Sequence, residues 1–283
     1  MLLAVIGRSA AVTVAGLVIL IAGFLLLHAQ PALREIGFVR FFADASWNPS
    51  PGPEGRFDIV PALVGSALAT ALAALIAVPI GITAALGSTF FVHRAVARLV
   101  DSGVGVLAGL PSVVIGLWGL TALVPWIARI RAPGASLLAA ALVLAVMVVP
   151  TIYVASRGAF KSIPKTCLDG ATALGMTRIG ILRAAVLPTV KPALAVGAVL
   201  AITRALGETM AVVMVAGNVA AIPRSLFDPV RTLTANIALE LPYATGLHRS
   251  ALFAGGAGLM ALTWSLVVLG RCISRAWSGE HND

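Results

Sequence analysis

Asp169-Gly170-Ala171-Thr172-Ala173-Leu174-Gly175, followed by Leu187-Pro188 and then by Arg204 and Glu208, lies between two apolar runs long enough to cross a bilayer. This order sets a small hydrophilic surface beside two opposite charges embedded in apolar sequence. The first suits a soluble partner. The second suits a charged solute.

Working outward, the surroundings are overwhelmingly apolar. Of 283 residues 59% are hydrophobic and 11% charged, and mean hydropathy is +1.01. No water-soluble core hides that much apolar surface, so lipid must cover it. Charge-free runs cover 9–33, 59–92, 102–128, 132–156 and 250–270, and a sixth, 192–223, is interrupted only by Arg204 and Glu208. Each supplies the ~20 residues that a helix needs to span ~30 Å of hydrocarbon. The expectation is an all-α integral membrane protein with six transmembrane helices in one domain, 1–283, and both termini on one side.

Lys and Arg choose that side. With the termini in the cytosol, Arg8, Arg94, Arg98, Arg157, Lys161, Lys165, Arg178, Arg183, Lys191, Arg271 and Arg275 face it, against Arg34, Arg40, Arg56, Arg129, Arg131, Arg224, Arg231 and Arg249 outside. Termini in the cytosol and a multi-pass position in the plasma membrane are therefore expected. The pI near 11.0 does not indicate nucleic acid, because the cations sit in loops that face anionic lipid and no basic run is interleaved with aromatics. The first run is too long for a signal-peptide core and is read as a retained span. Cys167 and Cys272 show no metal-ligand spacing and are expected as free thiols.

The outer connections are a long 28–58, with the turn-rich Trp47-Asn-Pro-Ser-Pro-Gly-Pro53, a tight 129–134, and a long 219–249 divided by Pro223, Pro229 and Pro242. Gly105 with Gly109, and Ala254 with Gly258, have the spacing of close helix packing. Pro79, Pro111 and Pro150 are expected to kink their spans. A break at Leu110-Pro111-Ser112 is expected as a bent packing helix ahead of a polar passage.

Arg204 falls near the middle of its run, where an unpaired arginine costs on the order of 2.5–3.5 kcal/mol on insertion scales. Glu208, four residues on, would share its helix face. A pair of leucines would serve stability equally well, because burying an ion pair desolvates both partners. These residues are therefore expected to serve function. The planar donor fork of arginine suits phosphate, sulfate or carboxylate. An arriving oxyanion would compete with Glu208, which permits release, and Thr203 or Thr209 would add a hydroxyl.

The connection 157–187 is basic and is expected to hold two short helical pieces, around 167–175 and 177–186, with Gly175 turning the chain and Pro188 opening the next span. This resembles the pattern Glu-Ala-Ala, three residues, Gly, nine residues, Ile-x-Leu-Pro of permease subunits of binding-protein-dependent ABC importers. The chain keeps every spacing, with Asp169 for Glu, Gly170 for the first Ala and Ala185 for Ile. Arg204-Ala-Leu-Gly-Glu-Thr-Met-Ala-Val-Val-Met-Val-Ala-Gly-Asn218, Trp47-Asn-Pro and Leu110-Pro-Ser-Val-Val-Ile-Gly116 narrow the resemblance to the phosphate-specific (Pst) importers, PstC type.

The resemblance implies a type I ABC importer permease. Asp169, Gly170, Ala171, Gly175, Leu187 and Pro188 would form coupling helices that dock on an ATPase dimer. Arg204, Glu208 and Thr209 would line the substrate pathway. A related permease of the PstA type would complete the passage, and an extracytoplasmic binding protein would deliver inorganic phosphate. ATP-Mg would be bound by the partner ATPase, since the chain has no Gly-x-x-x-x-Gly-Lys-Ser/Thr loop and no catalytic constellation. It is read as a membrane subunit and not an enzyme. Sulfate or molybdate permeases, a secondary anion carrier driven through Glu208, and a purely structural subunit are the competing readings.

Overall fold

In hydrocarbon a backbone N–H or C=O finds no water, so each apolar run closes its own hydrogen bonds as a helix. The computed structural model describes residues 2–37, 39–42, 46–49 and 55–279. Its helices are α1 (Leu2–Glu35), α2 (Val60–Phe90), α3 (Arg94–Gly109), α4 (Ser112–Ala128), α5 (Leu137–Lys161), α6 (Lys165–Ala173), α7 (Arg178–Leu206), α8 (Met210–Val215), α9 (Leu233–Glu240) and α10 (Gly246–Gly279). Among the described residues, α1, α2, α5, α7 and α10 are long and apolar enough to cross a membrane, and α3 with α4 gives a sixth span if the bent pair is counted as one.

Several ends differ from those expected. The first helix runs through Pro31 to Glu35, so the outer connection begins later than residue 28. The sixth apolar run does not form one helix. The span starts at Arg178 and stops at Leu206, because Gly207 closes it and the chain re-enters a helix only at Met210.

Proline acts differently at each site. Pro79 and Pro150 lie inside unbroken helices, whereas α3 and α4 meet at 97°. Gly109 is a weak helix former, and Leu110 and Pro111 are both extended (ψ 132 and 141), as a pre-proline residue prefers. The expected break is therefore present, and Leu110, Val113 and Val114 at it are exposed and apolar. Two other prolines are absorbed by a widened turn. Val124 N–H bonds to Gly119 O before Pro125, and Leu187 N–H bonds to Leu182 O before Pro188. Each five-residue hydrogen bond gives room to a ring that would clash with an ordinary turn. Pro188 thus sits within a continuous α7 and does not open it.

The centre of the bundle is α5 against α2. Ala69, Ala73, Ala77, Gly81 and Ala85 recur every fourth residue and stack along one face of α2. The four alanines are fully buried. A Cβ at Gly81 would lie 2.7 Å from Ile152 Cγ2, and one at Gly116 would lie 2.8 Å from Ala211 Cα, so α4 and α8 also approach backbone to backbone. By contrast a methyl added at Gly105, Gly109 or Gly258 would meet nothing within 4 Å. Those three positions face open space, whereas Ala254 packs against the cluster of Ala32, Ile36 and Phe41, and the central contacts are made by the alanine stripe. Helix α1 packs on α10.

Outside the spans, Trp47–Asn48 (β1) pairs antiparallel with Arg56–Phe57 (β2). Residues 50–54 of the expected turn lie outside the described residues. Cys167 and Cys272 are free and exposed.

Gly81→Ala is expected to lower stability by about 1–3 kcal/mol through overpacking against Ile152. Gly87→Ala, with open space around the new methyl, is expected to leave it unchanged or raise it by up to about 1 kcal/mol. Thermal denaturation of the purified protein in detergent checks the difference in sign.

Candidate functional site

Arg204 lies in the last turn of α7, two residues before its end. Gly207 N–H reaches back to Thr203 O at 3.2 Å and Glu208 N–H to Ala205 O at 3.2 Å, which closes the helix. Glu208 is therefore off the helix. Its Oε1 accepts from Ala211 N–H at 3.4 Å at the start of α8, where an anion compensates free N–H groups. The expected Arg204–Glu208 ion pair does not form: among the described residues none joins them. The reason is the Gly207 break, which turns the carboxylate away from the face that Arg204 occupies. Arg204 remains exposed, and Glu208 and Thr209 are half-buried. Thr209 Oγ1 bonds Gly207 O at 3.3 Å.

The break is held from outside. Thr234 Oγ1 donates to Glu208 O at 2.8 Å, satisfying a carbonyl that the helix has released. Thr234 belongs to α9, which is fixed by a polar hub on Glu240. Arg231 Nη1 donates to Glu240 Oε1 at 2.6 Å, Trp47 Nε1 to Oε2 at 2.7 Å, and His248 Nε2 lies 2.9 Å from the same oxygen. Arg231 Nε also donates to Asn218 O at 2.8 Å, across a turn where Gly217 and Asn218 have φ of 82 and 56. One carboxylate thereby ties β1, α10 and the 218–231 segment to the element that steadies Glu208.

The other expected site lies on α6 and the turn after it. Gly175 has φ +74 and turns the chain as expected, with Thr177 Oγ1 capping α7 through Gly180 N–H at 3.2 Å. Asp169, Gly170 and Gly175 are exposed, whereas Ala171 is buried within the chain. Leu187 and Pro188 lie farther along α7, away from the tip. The tip instead carries Leu174, 83% exposed, and Ile179, 58% exposed. An apolar pair in a hydrophilic loop signals a contact surface, and sequence reading passed over it.

A model of the binding-protein-dependent transport system inner membrane component family matches residues 77–278, which include both sites. The chain belongs to this family. It is 37% identical over 240 residues to the probable ABC transporter permease protein YqgH of Bacillus subtilis, covering 83% of this chain and 77% of that protein. It is 34% identical to the phosphate transport system permease protein PstC of Mesorhizobium japonicum, covering 93% and 86% respectively. Among solved structures, a bacterial ABC transporter that imports the acidic polysaccharide alginate matches with a TM-score of 0.64 at 16% identity, covering 95% of this chain and 96% of that one. The MetNI methionine ABC transporter matches with 0.60 at 20% identity, covering 77% and 94%. The fold is that of the type I ABC importer permeases. Such permeases are multi-pass membrane proteins that work with ATPase and substrate-binding partners.

Because Glu240 accepts from three elements and its side chain is only 20% exposed, Glu240→Ala is expected to cost about 1–3 kcal/mol, less than a fully buried pair because part of the hub meets water. Limited proteolysis of the 218–231 segment should accelerate, while cleavage at the α6 tip should not change.

Proposed function

We propose that this permease carries inorganic phosphate into the cell as one subunit of an ATP-driven importer. The observation that carries the reading is Arg204: a guanidinium with no carboxylate partner among the described residues, exposed at a break between α7 and α8. Lys191 and Pro192 mark where α7 enters its charge-free stretch, and thirteen residues of helix at ~1.5 Å each put Arg204 about 20 Å beyond them. A cation at that depth is retained for function, and its donor fork fits a tetrahedral oxyanion. Similarity to the PstC permeases of several bacteria supports phosphate within that class.

In this reading Glu208 is kept as a cap and not as a counter-ion, so an arriving anion need not displace it. Thr209 offers a hydroxyl beside the break. Asp169, Gly170 and Gly175, with Leu174 and Ile179, present the coupling surface to an ATPase dimer that binds ATP-Mg. A PstA-type permease completes the passage, an extracytoplasmic binding protein loads it, and the termini lie in the cytosol. The chain itself performs no chemistry and acts as one domain.

Two substitutions test this in vesicles containing the whole complex. A charge-assisted hydrogen bond contributes about 1.5–3 kcal/mol, so Arg204→Gln should reduce phosphate uptake by about tenfold or more while the complex still assembles. Normal uptake retires Arg204 as a substrate contact. Gly175→Arg, which forces a side chain onto a positive φ and adds bulk at the tip, should leave ATP hydrolysis without transport. Competition by arsenate and sulfate identifies the cargo: phosphate uptake unaffected by excess sulfate supports the reading, and preferential sulfate uptake contradicts it.

A further inference from the structure

Asp101 and Arg157 form an ion pair that the proposed pathway does not use. Arg157 Nη2 donates to Asp101 Oδ2 at 2.6 Å and Tyr153 Oη donates to Asp101 Oδ1 at 2.7 Å. The guanidinium lies 5.8 Å over the Tyr153 ring. Tyr153 and Arg157, one helical turn apart on α5, thus close on both oxygens of a single carboxylate of α3. Stability alone does not call for these residues. Apolar side chains of similar volume would pack as well, and Arg157 Nε and Nη1 are buried without an acceptor among the described residues.

Their position is more telling. Arg157 lies one turn before the end of α5 at Lys161, and Ile163-Pro164 leads directly into α6. Around the pair, Tyr153, Phe160, Ile163, Leu182 and Val186 form one buried cluster joined by Val100 and Val104 of α3 and Leu168 of α6. At its far end α3 turns 97° into α4. Helix α4 touches α8 closely at Gly116–Ala211, and α8 is the helix that Glu208 caps. Packed contacts therefore run from Leu168 of α6 to Val104 of α3, and the chain through Leu110 and Pro111 carries the connection on to α4, α8 and the break beside Arg204.

We propose that Asp101, clasped by Tyr153 and Arg157, is the positioning residue that makes α3 follow the coupling loop, so that movement at the ATPase reaches the Arg204 segment. This rests on the importer reading above. A rigid arm transmits displacement only if its end is fastened, and an ion pair between two helices fastens it directionally where apolar contacts would let it slide.

The test uses the complete complex in vesicles, measuring phosphate taken up per ATP hydrolysed. Asp101→Leu with Arg157→Leu removes both charges together; ATP hydrolysis and the KM for phosphate should persist while uptake per ATP falls about tenfold, within the usual range of coupling between sites. Arg157→Lys, which keeps the pair, should restore most of the ratio. Should the double variant fail to assemble, Tyr153→Phe decides: it removes one hydroxyl and should lower the ratio measurably. An unchanged ratio in the double variant or in Tyr153→Phe, or a changed KM with the ratio intact, overturns the proposal. If the wild-type complex transports sulfate and not phosphate, the cargo reading falls, and the same ratio measured with sulfate judges the clasp.

Discussion

A helix that stops inside hydrocarbon must hand each released N–H and C=O to another part of the protein. At the Gly207 break, Gly207 O accepts from Thr209 Oγ1, and Glu208 is held by two bonds: its O accepts from Thr234 Oγ1 and its Oε1 accepts from Ala211 N–H. Both draw Glu208 toward α8 and α9. The cost falls on Arg204, which is left with no carboxylate partner among the described residues. The backbone constraint thus explains why Arg204 has no carboxylate beside it among the described residues, and in the proposed function that cation is what attracts an anion.

The outer hub serves the same constraint. Thr234 can hold the Glu208 carbonyl only while α9 stays in place, and α9 is fixed by Glu240 through Arg231, Trp47 and His248. The widened turns before Pro125 and Pro188 keep α4 and α7 continuous, whereas the described apolar runs are interrupted at Gly109–Pro111 and at Gly207. On the other side α5 carries its order straight into α6, and the Asp101 clasp joins that corner to the bent third span.

Apolar content was readable residue by residue, so the spans, the Pro111 break and the Gly175 turn were legible in the sequence. Charge spacing was less so. Arg204 and Glu208 are four apart, which means one face only if the helix continues, and Gly207 was the signal that it does not. Small-residue spacing was informative only in part: Ala254 packs inward while Gly105 and Gly109 meet open space within the chain, because spacing shows which residues share a face, not what that face meets. The alanine stripe of α2 has the same spacing and turned out to be the central contact. Asp101 with Arg157, 56 residues apart, and Trp47 with Glu240, 193 apart, leave no local trace, because the fold alone brings them together.

The most direct measurement is a high-resolution structure of the complete importer trapped with phosphate during turnover. A phosphate oxygen is expected within about 2.7–2.9 Å of the Arg204 guanidinium, with Glu208 still capping α8. An Arg204 sealed from every aqueous route in all trapped states, or neutralised by a carboxylate of the second permease with phosphate bound elsewhere, would contradict it.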